Sequence, residues 1–159
     1  MRVPGVGAPR RVIAAALAAL EAEGLVVEAV SPVMDSAPIG PSARRYANAA
    51  AVIVSDLAPR ELLERLQCIE RAFGRRRHGR KWRARPLDLD IVLWSGGAWS
   101  NPSLTIPHRE FRHRAFVLGP GAVIAPSWRD PVTGFTLRHL AARLTRPRPV
   151  PSERPWAGP

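Results

Sequence analysis

Asp88 and Asp90 alternate with Leu87, Leu89, Ile91 and Leu93. That spacing predicts a strand over 87–94. Residues i and i+2 of a strand point to one face. Burying the aliphatics therefore leaves both carboxylates on the other face, where they can share a hard cation such as Mg²⁺. From Arg71 to Arg85 stand seven arginines and Lys81, with no acid among them. Guanidinium forks neutralise phosphate oxygens. Cations beside a carboxylate pair make chemical sense when a polyphosphate and its metal lie between them. Each half alone has a plainer reading. A basic loop is commonly a solvated or nucleic-acid-facing surface, and an Asp-x-Asp pair is commonly an exposed strand edge. The combination is more specific than either part.

The preceding element must be a helix. Pro59 suits its first turn, Leu62, Leu63, Leu66, Ile69 and Phe73 form its buried stripe, and Gly74 suits its stop. Gln67 and Glu70 then share a face near its C-terminal end, where the arginines begin. They are either solvated there or placed to bond a nucleotide or orient an arginine. Trp82 sits among the cations with little core to fill. It can stack on a flat ring or on a guanidinium.

The 159 residues carry a formal charge of +11. Outside the eight bases of 71–85, 16 bases stand against 13 acids, so the basicity is local. That is the mark of an anion site rather than of a uniformly cationic protein. Cys68 is the one cysteine; its place in the helical pattern predicts a small core residue, and a single thiol fits a reducing cytoplasm. No apolar run approaches the roughly 20 residues of a membrane span. Residues 11–20 are apolar and follow arginines, but no small-residue cleavage site marks them as a signal.

Along the rest of the chain, residues 1–9 read as a loop, and Pro9 to Gly24 brackets an amphipathic helix carrying Val12, Ile13, Ala16, Leu17 and Leu20. Strands are predicted over 25–33 and 46–55, with a proline- and glycine-broken loop at 36–41. Asn48 is either a ladder-end residue or a donor and acceptor for an amide-like edge. Ser95-Gly96-Gly97 marks a turn, and Trp99 starts a short return strand. His108 follows a proline at a loop-to-helix junction with arginines downstream, a fair place for a phosphate contact. Ile124 to Trp128 reads as irregular, and Thr136 to Leu144 as a short helix. Residues 1–145 thus form one domain, and 146–159 a Pro/Arg-rich tail without periodicity. The architecture expected is an α+β sandwich, with helices on one face of a small, mainly antiparallel sheet.

Three stretches resemble the 6-hydroxymethyl-7,8-dihydropterin pyrophosphokinases of folate biosynthesis. They are Ser36–Pro41 with Tyr46–Ala50; Gln67–Glu70 with Gly74, Arg75, Arg77 and Arg85–Ile91; and Pro107-His108 with Arg114–Leu118 and Ile124–Pro126. Together they span roughly residues 10 to 145. The resemblance implies a ferredoxin-like α/β sandwich that moves pyrophosphate from ATP to a pterin alcohol, releasing AMP. It implies that Asp88 and Asp90 hold two Mg²⁺ ions with ATP. It places Gln67, Arg77, Lys81, Arg85, Ile91, His108 and Arg114 against the nucleotide, with Arg75 and Arg85 aiding catalysis. Ser36, Ala37, Ile39, Tyr46 and Asn48 would line the pterin pocket, with Trp82 and Phe116 on the two ring faces. Glu70 would support the site. A cytoplasmic monomer without membrane or nucleic-acid partners is implied.

This chain departs from the family pattern in places. It lacks the apolar strand that opens the family ahead of the first helix. Lys81 stands where arginine is common, Arg109 where an aromatic or proline follows the histidine, and Gly121-Ala122-Val123 where an acid precedes Ile-Ala-Pro. Two other readings compete: an N-terminally truncated inactive form, motivated by the missing strand, and a basic nucleic-acid-binding module. Repulsion between phosphate and the Asp88/Asp90 pair argues against the last.

Overall fold

The computed structural model describes residues 8–36, 46–74 and 86–146. Helix α1 (Pro9–Ala22) starts on proline, where a missing N–H is harmless, and buries Val12, Ala16 and Leu20 at four-residue spacing. It ends at Gly24, whose φ of +80° lets Leu25 N–H reach back to the Leu20 carbonyl at 3.1 Å. Helix α2 (Pro59–Ala72) repeats the plan: Glu61 reaches back to the Ala58 N–H at 2.9 Å, and Gly74 stops it at φ +92°. Its buried stripe includes Leu66 and Ile69 and, unusually, Glu70. Cys68 does not join that stripe. It is exposed, because position 68 lies about 100° round the helix from Ile69, and its sulfur accepts from Arg71 Nη2 at 2.7 Å.

The two long strands expected over 25–33 and 46–55 are each broken. β1 (Val26–Val30) pairs antiparallel with β4 (Ala51–Val54), and β2 (Met34–Ser36) with β3 (Tyr46–Asn48). Pro32 has no N–H to offer a ladder, so pairing lapses there. Ser31 bridges the lapse: its N–H donates to the Ala50 carbonyl and its hydroxyl accepts the Ala50 N–H, both at 2.9 Å. Ser36, expected in a loop, is the last residue of β2; the rest of that loop lies outside the described residues.

Residues 87–93 form no strand ladder among the described residues, against expectation. Their burial still alternates, with Leu87 and Ile91 buried and Asp88 and Asp90 exposed. A ladder requires a neighbouring strand as well as a suitable sequence. Here the Val92 carbonyl accepts the His108 N–H at 3.0 Å, a bond to a loop residue and not to a strand. Trp94 then bridges to Gly97 across the expected turn, and β5 (Trp99–Asn101) pairs with β6 (Leu104–Ile106).

After the cis Ile106–Pro107 peptide, a 3-10 turn (Phe111–His113) leads into α3 (Ala115–Ile124) and then α4 (Leu137–Thr145). Thr136 caps α4, its hydroxyl accepting the His139 N–H at 3.2 Å. A helix is expected downstream of His108, but its extent is not legible, because Gly119-Pro120-Gly121 reads as a breaker. Burial of Pro120, and of Leu118 in a shared core with Phe111, Ala125, Leu137 and Leu140, overrides that local preference.

The layers follow from β4. Ile53 packs on the core that α1 and α2 build with Leu87 and Ile91, whereas Val52 packs on the core of α3 and α4. Successive strand residues face opposite sides, so helices cover both faces of this strand pair rather than one. The architecture is α+β with short antiparallel sheets. Of the expected tail only Arg146 is described, and the expected absence of an opening strand falls on residues 1–7, outside the described chain.

Candidate active site

The carboxylate pair is held from beneath. Glu70, 1% exposed at the end of α2, accepts the Leu89 N–H on Oε1 at 2.9 Å. That N–H belongs to the residue between the two aspartates. With Leu87 and Ile91 anchored in the core and Leu89 pinned by Glu70, Asp88 and Asp90 stand outward on one face. His108 reaches the same place. Its Nε2 lies 3.8 Å from Asp90 Oδ2, and its backbone is tied to Val92. The imidazole Nδ1 accepts the Glu110 N–H at 3.2 Å, which directs Nε2 outward.

Arg114 lies one 3-10 turn further on, bound by its N–H to the Phe111 carbonyl at 3.3 Å. It is the residue before α3, and its guanidinium sits 5.8 Å from the centre of the Phe116 ring. Helix α3 packs against β2 and β3, with Gly119 set opposite Met34. Phe116 lies in the first turn of this helix, which meets the β2–β3 hairpin that carries Ser36, Tyr46 and Asn48. On that hairpin Asn48 Nδ2 donates to Ser36 Oγ at 2.8 Å, so the two polar groups are locked together. Tyr46 remains exposed.

The expected residues fall into two groups among the described residues. Asp88, Asp90 and His108 come together, and Ser36, Tyr46 and Asn48 share the β2–β3 pair; Arg114 and Phe116 sit at the start of α3, the helix that packs against that pair. Gln67, half-buried on α2, and Glu70 lie on the helix that supports the first group. Ile91 commits its side chain to the core, leaving only its backbone for a nucleotide. Ala37, Ile39, Arg75, Arg77, Lys81, Trp82 and Arg85 lie outside the described residues. A separate concavity of about 500 Å³, lined by Arg129, Phe135, His139 and Arg143 among others, contains none of the expected residues.

No group of three or more His, Cys, Asp or Glu side chains that could hold a metal occurs among the described residues. Two outward carboxylates without a third acid suit Mg²⁺, which keeps several waters and is bound through one or two carboxylates plus substrate phosphates. They do not suit a closed zinc cage, which takes four protein ligands.

Sequence reasoning did not find the Arg112–Asp130 pair. Arg112 Nε and Nη2 each donate to a different oxygen of the fully buried Asp130, both at 2.7 Å. Burial pushes the Asp130 carboxyl upward, but bonds from Arg112, Thr133 and the Val132 N–H, with the Arg112 charge, hold it at about 2. Nothing in a spacing of 18 residues could have joined them.

A carboxylate pair on an α+β sandwich, flanked by a histidine and following an arginine-rich segment, has the character of a nucleotide-phosphate site. The chain belongs to the 7,8-dihydro-6-hydroxymethylpterin-pyrophosphokinase family, whose model matches residues 5–126. The 2-amino-4-hydroxy-6-hydroxymethyldihydropteridine pyrophosphokinase of Synechocystis sp. is 42% identical over 121 residues, which is 76% of this chain and 62% of that one. The protein of that name from Pseudomonas aeruginosa is 45% identical over 126 residues, 77% of this chain and 76% of its own. The one from Haemophilus influenzae is 45% identical over 86 residues, 54% and 53% of the two chains. Aligned segments thus span between 53% and 76% of these relatives' lengths.

Proposed function

We propose that the chain transfers the pyrophosphoryl group of ATP to the hydroxymethyl oxygen of 6-hydroxymethyl-7,8-dihydropterin, forming the pterin diphosphate and AMP. The observation that carries it is the outward carboxylate pair with Asp90 3.8 Å from His108. Family membership and the names of the relatives support the same reading.

In this reading Asp88 and Asp90 hold Mg²⁺ together with ATP, with two ions expected. When bound, the metal neutralises phosphate charge and makes the β-phosphorus more electrophilic. The chain's own residues do the rest. His108 and Arg114 bond phosphate oxygens and fix the triphosphate against the aspartates, work that Gln67, Arg77, Lys81 and Arg85 share. Asn48 and Ser36 offer donors and acceptors to the amide edge of the pterin, and Phe116 covers one ring face while Trp82 covers the other. Held this way, the hydroxymethyl oxygen attacks the β-phosphorus, and the bond from that phosphorus to the oxygen of the AMP moiety breaks. The alcohol proton goes to solvent. Positioning and fixed positive charge are the main sources of rate in such a transfer, so a Ser or Cys nucleophile is not needed.

The test is AMP formation by the purified chain from ATP and the pterin alcohol, with and without Mg²⁺. Metal-dependent AMP in step with pterin diphosphate is expected. ADP as product, or no turnover by a folded chain, would overturn the assignment.

A further inference from the structure

We propose that the Arg112–Asp130 ion pair is a positioning device for the nucleotide side of the site, holding His108 and Arg114 at a fixed separation and azimuth; it rests on the function proposed above. Arg112 lies between those two residues in the chain. From His108 to Arg114 the backbone is one run of short-range bonds: Phe111 N–H to the His108 carbonyl at 3.1 Å, His113 to Glu110 at 3.1 Å, and Arg114 to Phe111 at 3.3 Å. Such a turn is internally stiff, yet three-residue 3-10 geometry is weak by itself. Backbone bonds hold its two ends, His108 N–H to the Val92 carbonyl at 3.0 Å and the Arg114 carbonyl to the Leu118 N–H at 2.9 Å; between them the orientation comes from side chains that reach other elements.

Two side chains do so. Phe111 is fully buried in the α3–α4 core, which fixes depth. A ring in an apolar core does not fix rotation about its own axis, and Arg112 supplies that restraint. Its planar fork meets Asp130 at both nitrogens, and its carbon Cζ also lies 4.7 Å from the Phe111 ring centre. A bidentate guanidinium–carboxylate contact defines direction as well as distance.

Asp130 is a suitable anchor because it is fully buried and bonded through both its carboxylate and its backbone. Its carboxylate also accepts from the Val132 N–H and the Thr133 hydroxyl. Its own N–H donates to the Phe135 carbonyl at 2.9 Å, and its carbonyl accepts from Gly134 at 2.8 Å. The turn so formed leads directly into α4. Buried ion pairs often contribute little net stability compared with apolar replacements. The direction this one imposes is therefore its more specific product. On one side it sets His108, whose imidazole faces Asp90; on the other it sets Arg114, the residue before α3.

The experiment compares the wild-type chain with Arg112→Met, Arg112→Lys and Asp130→Asn, all well below their melting temperatures. Two quantities are read: amide exchange at Phe111, His113 and Arg114, and the Kd for Mg²⁺ with a non-hydrolysable ATP analogue, alongside the Kd for the pterin alcohol. Exchange should quicken in all three variants. Nucleotide Kd should rise about tenfold in Arg112→Met and less in Arg112→Lys, which keeps the charge without the fork. Pterin Kd should stay within about twofold. The isosteric Asp130→Asn serves if Arg112→Met does not fold. Folded variants whose nucleotide Kd matches the wild type would reduce the pair to scaffolding and overturn the proposal. Equal losses for both ligands would overturn it as well. A wild-type chain that binds no nucleotide would instead remove the function on which the proposal stands, and the exchange rates would still report whether the turn is held.

Discussion

Glu70 Oε1 accepts the Leu89 N–H at 2.9 Å, so a carboxylate buried at the end of α2 holds the backbone between Asp88 and Asp90. Removing one partner of a buried bond leaves the other unsatisfied, at about 1–3 kcal/mol. Glu70→Ala should lose stability on that scale in urea unfolding and weaken Mg²⁺–nucleotide binding. Glu70→Gln keeps an acceptor oxygen and should lose less. Equal stability of Glu70→Ala and wild type would show that the bond carries nothing.

Asp90 is different because its side chain is 46% exposed. Asp90→Ala should leave the melting temperature within a degree or two while lowering AMP formation by on the order of 10³-fold, the scale for losing a charge-stabilising group at a reacting centre. Turnover within threefold of wild type would contradict the metal-holding role.

In the proposed function the Asn48–Ser36 contact serves the pterin alcohol. Asn48→Ala should raise KM for the pterin alcohol about tenfold, equivalent to about 1.4 kcal/mol, while KM for ATP stays unchanged. A larger effect on ATP would place Asn48 on the wrong side of the site.

Asp130 makes a pH prediction. Its pKa falls from 3.8 to about 2 on folding, so the folded state favours the charged form. The stabilisation, about 2 kcal/mol by linkage, is present above about pH 4 and is lost as pH falls through about 2. The stability gap between wild type and Asp130→Asn should therefore close over that interval. In Arg112→Met the buried carboxylate loses its cation, its pKa should rise, and acidification should stabilise that variant relative to wild type. Parallel pH profiles for all three would refute the assignment.

Much of this is legible in the sequence. Helical periodicity located α1, α2 and α4, and the alternation around Asp88 and Asp90 put both carboxylates outward, as found. The failures have local physical causes. Pro32 broke a ladder that β-branched residues alone would have continued. Gly119-Pro120-Gly121 concealed the extent of the helix expected after His108, because the helicity of α3 comes from core burial and not from propensity. Cys68, expected as a small core residue, is exposed because it lies one residue off the buried stripe. The expected strand over 87–94 shows no ladder among the described residues, because pairing depends on a neighbour that no local pattern encodes. Arg112 and Asp130 meet only through tertiary structure.

The central claim is that Asp88 and Asp90 together receive the metal that accompanies the triphosphate. Crystals grown with Mn²⁺ and a non-hydrolysable ATP analogue test it through anomalous scattering. The account predicts manganese peaks about 2.1 Å from carboxylate oxygens of both residues, with phosphate oxygens completing the shell. Manganese bound to phosphate alone, with both aspartates left to solvent, would contradict it.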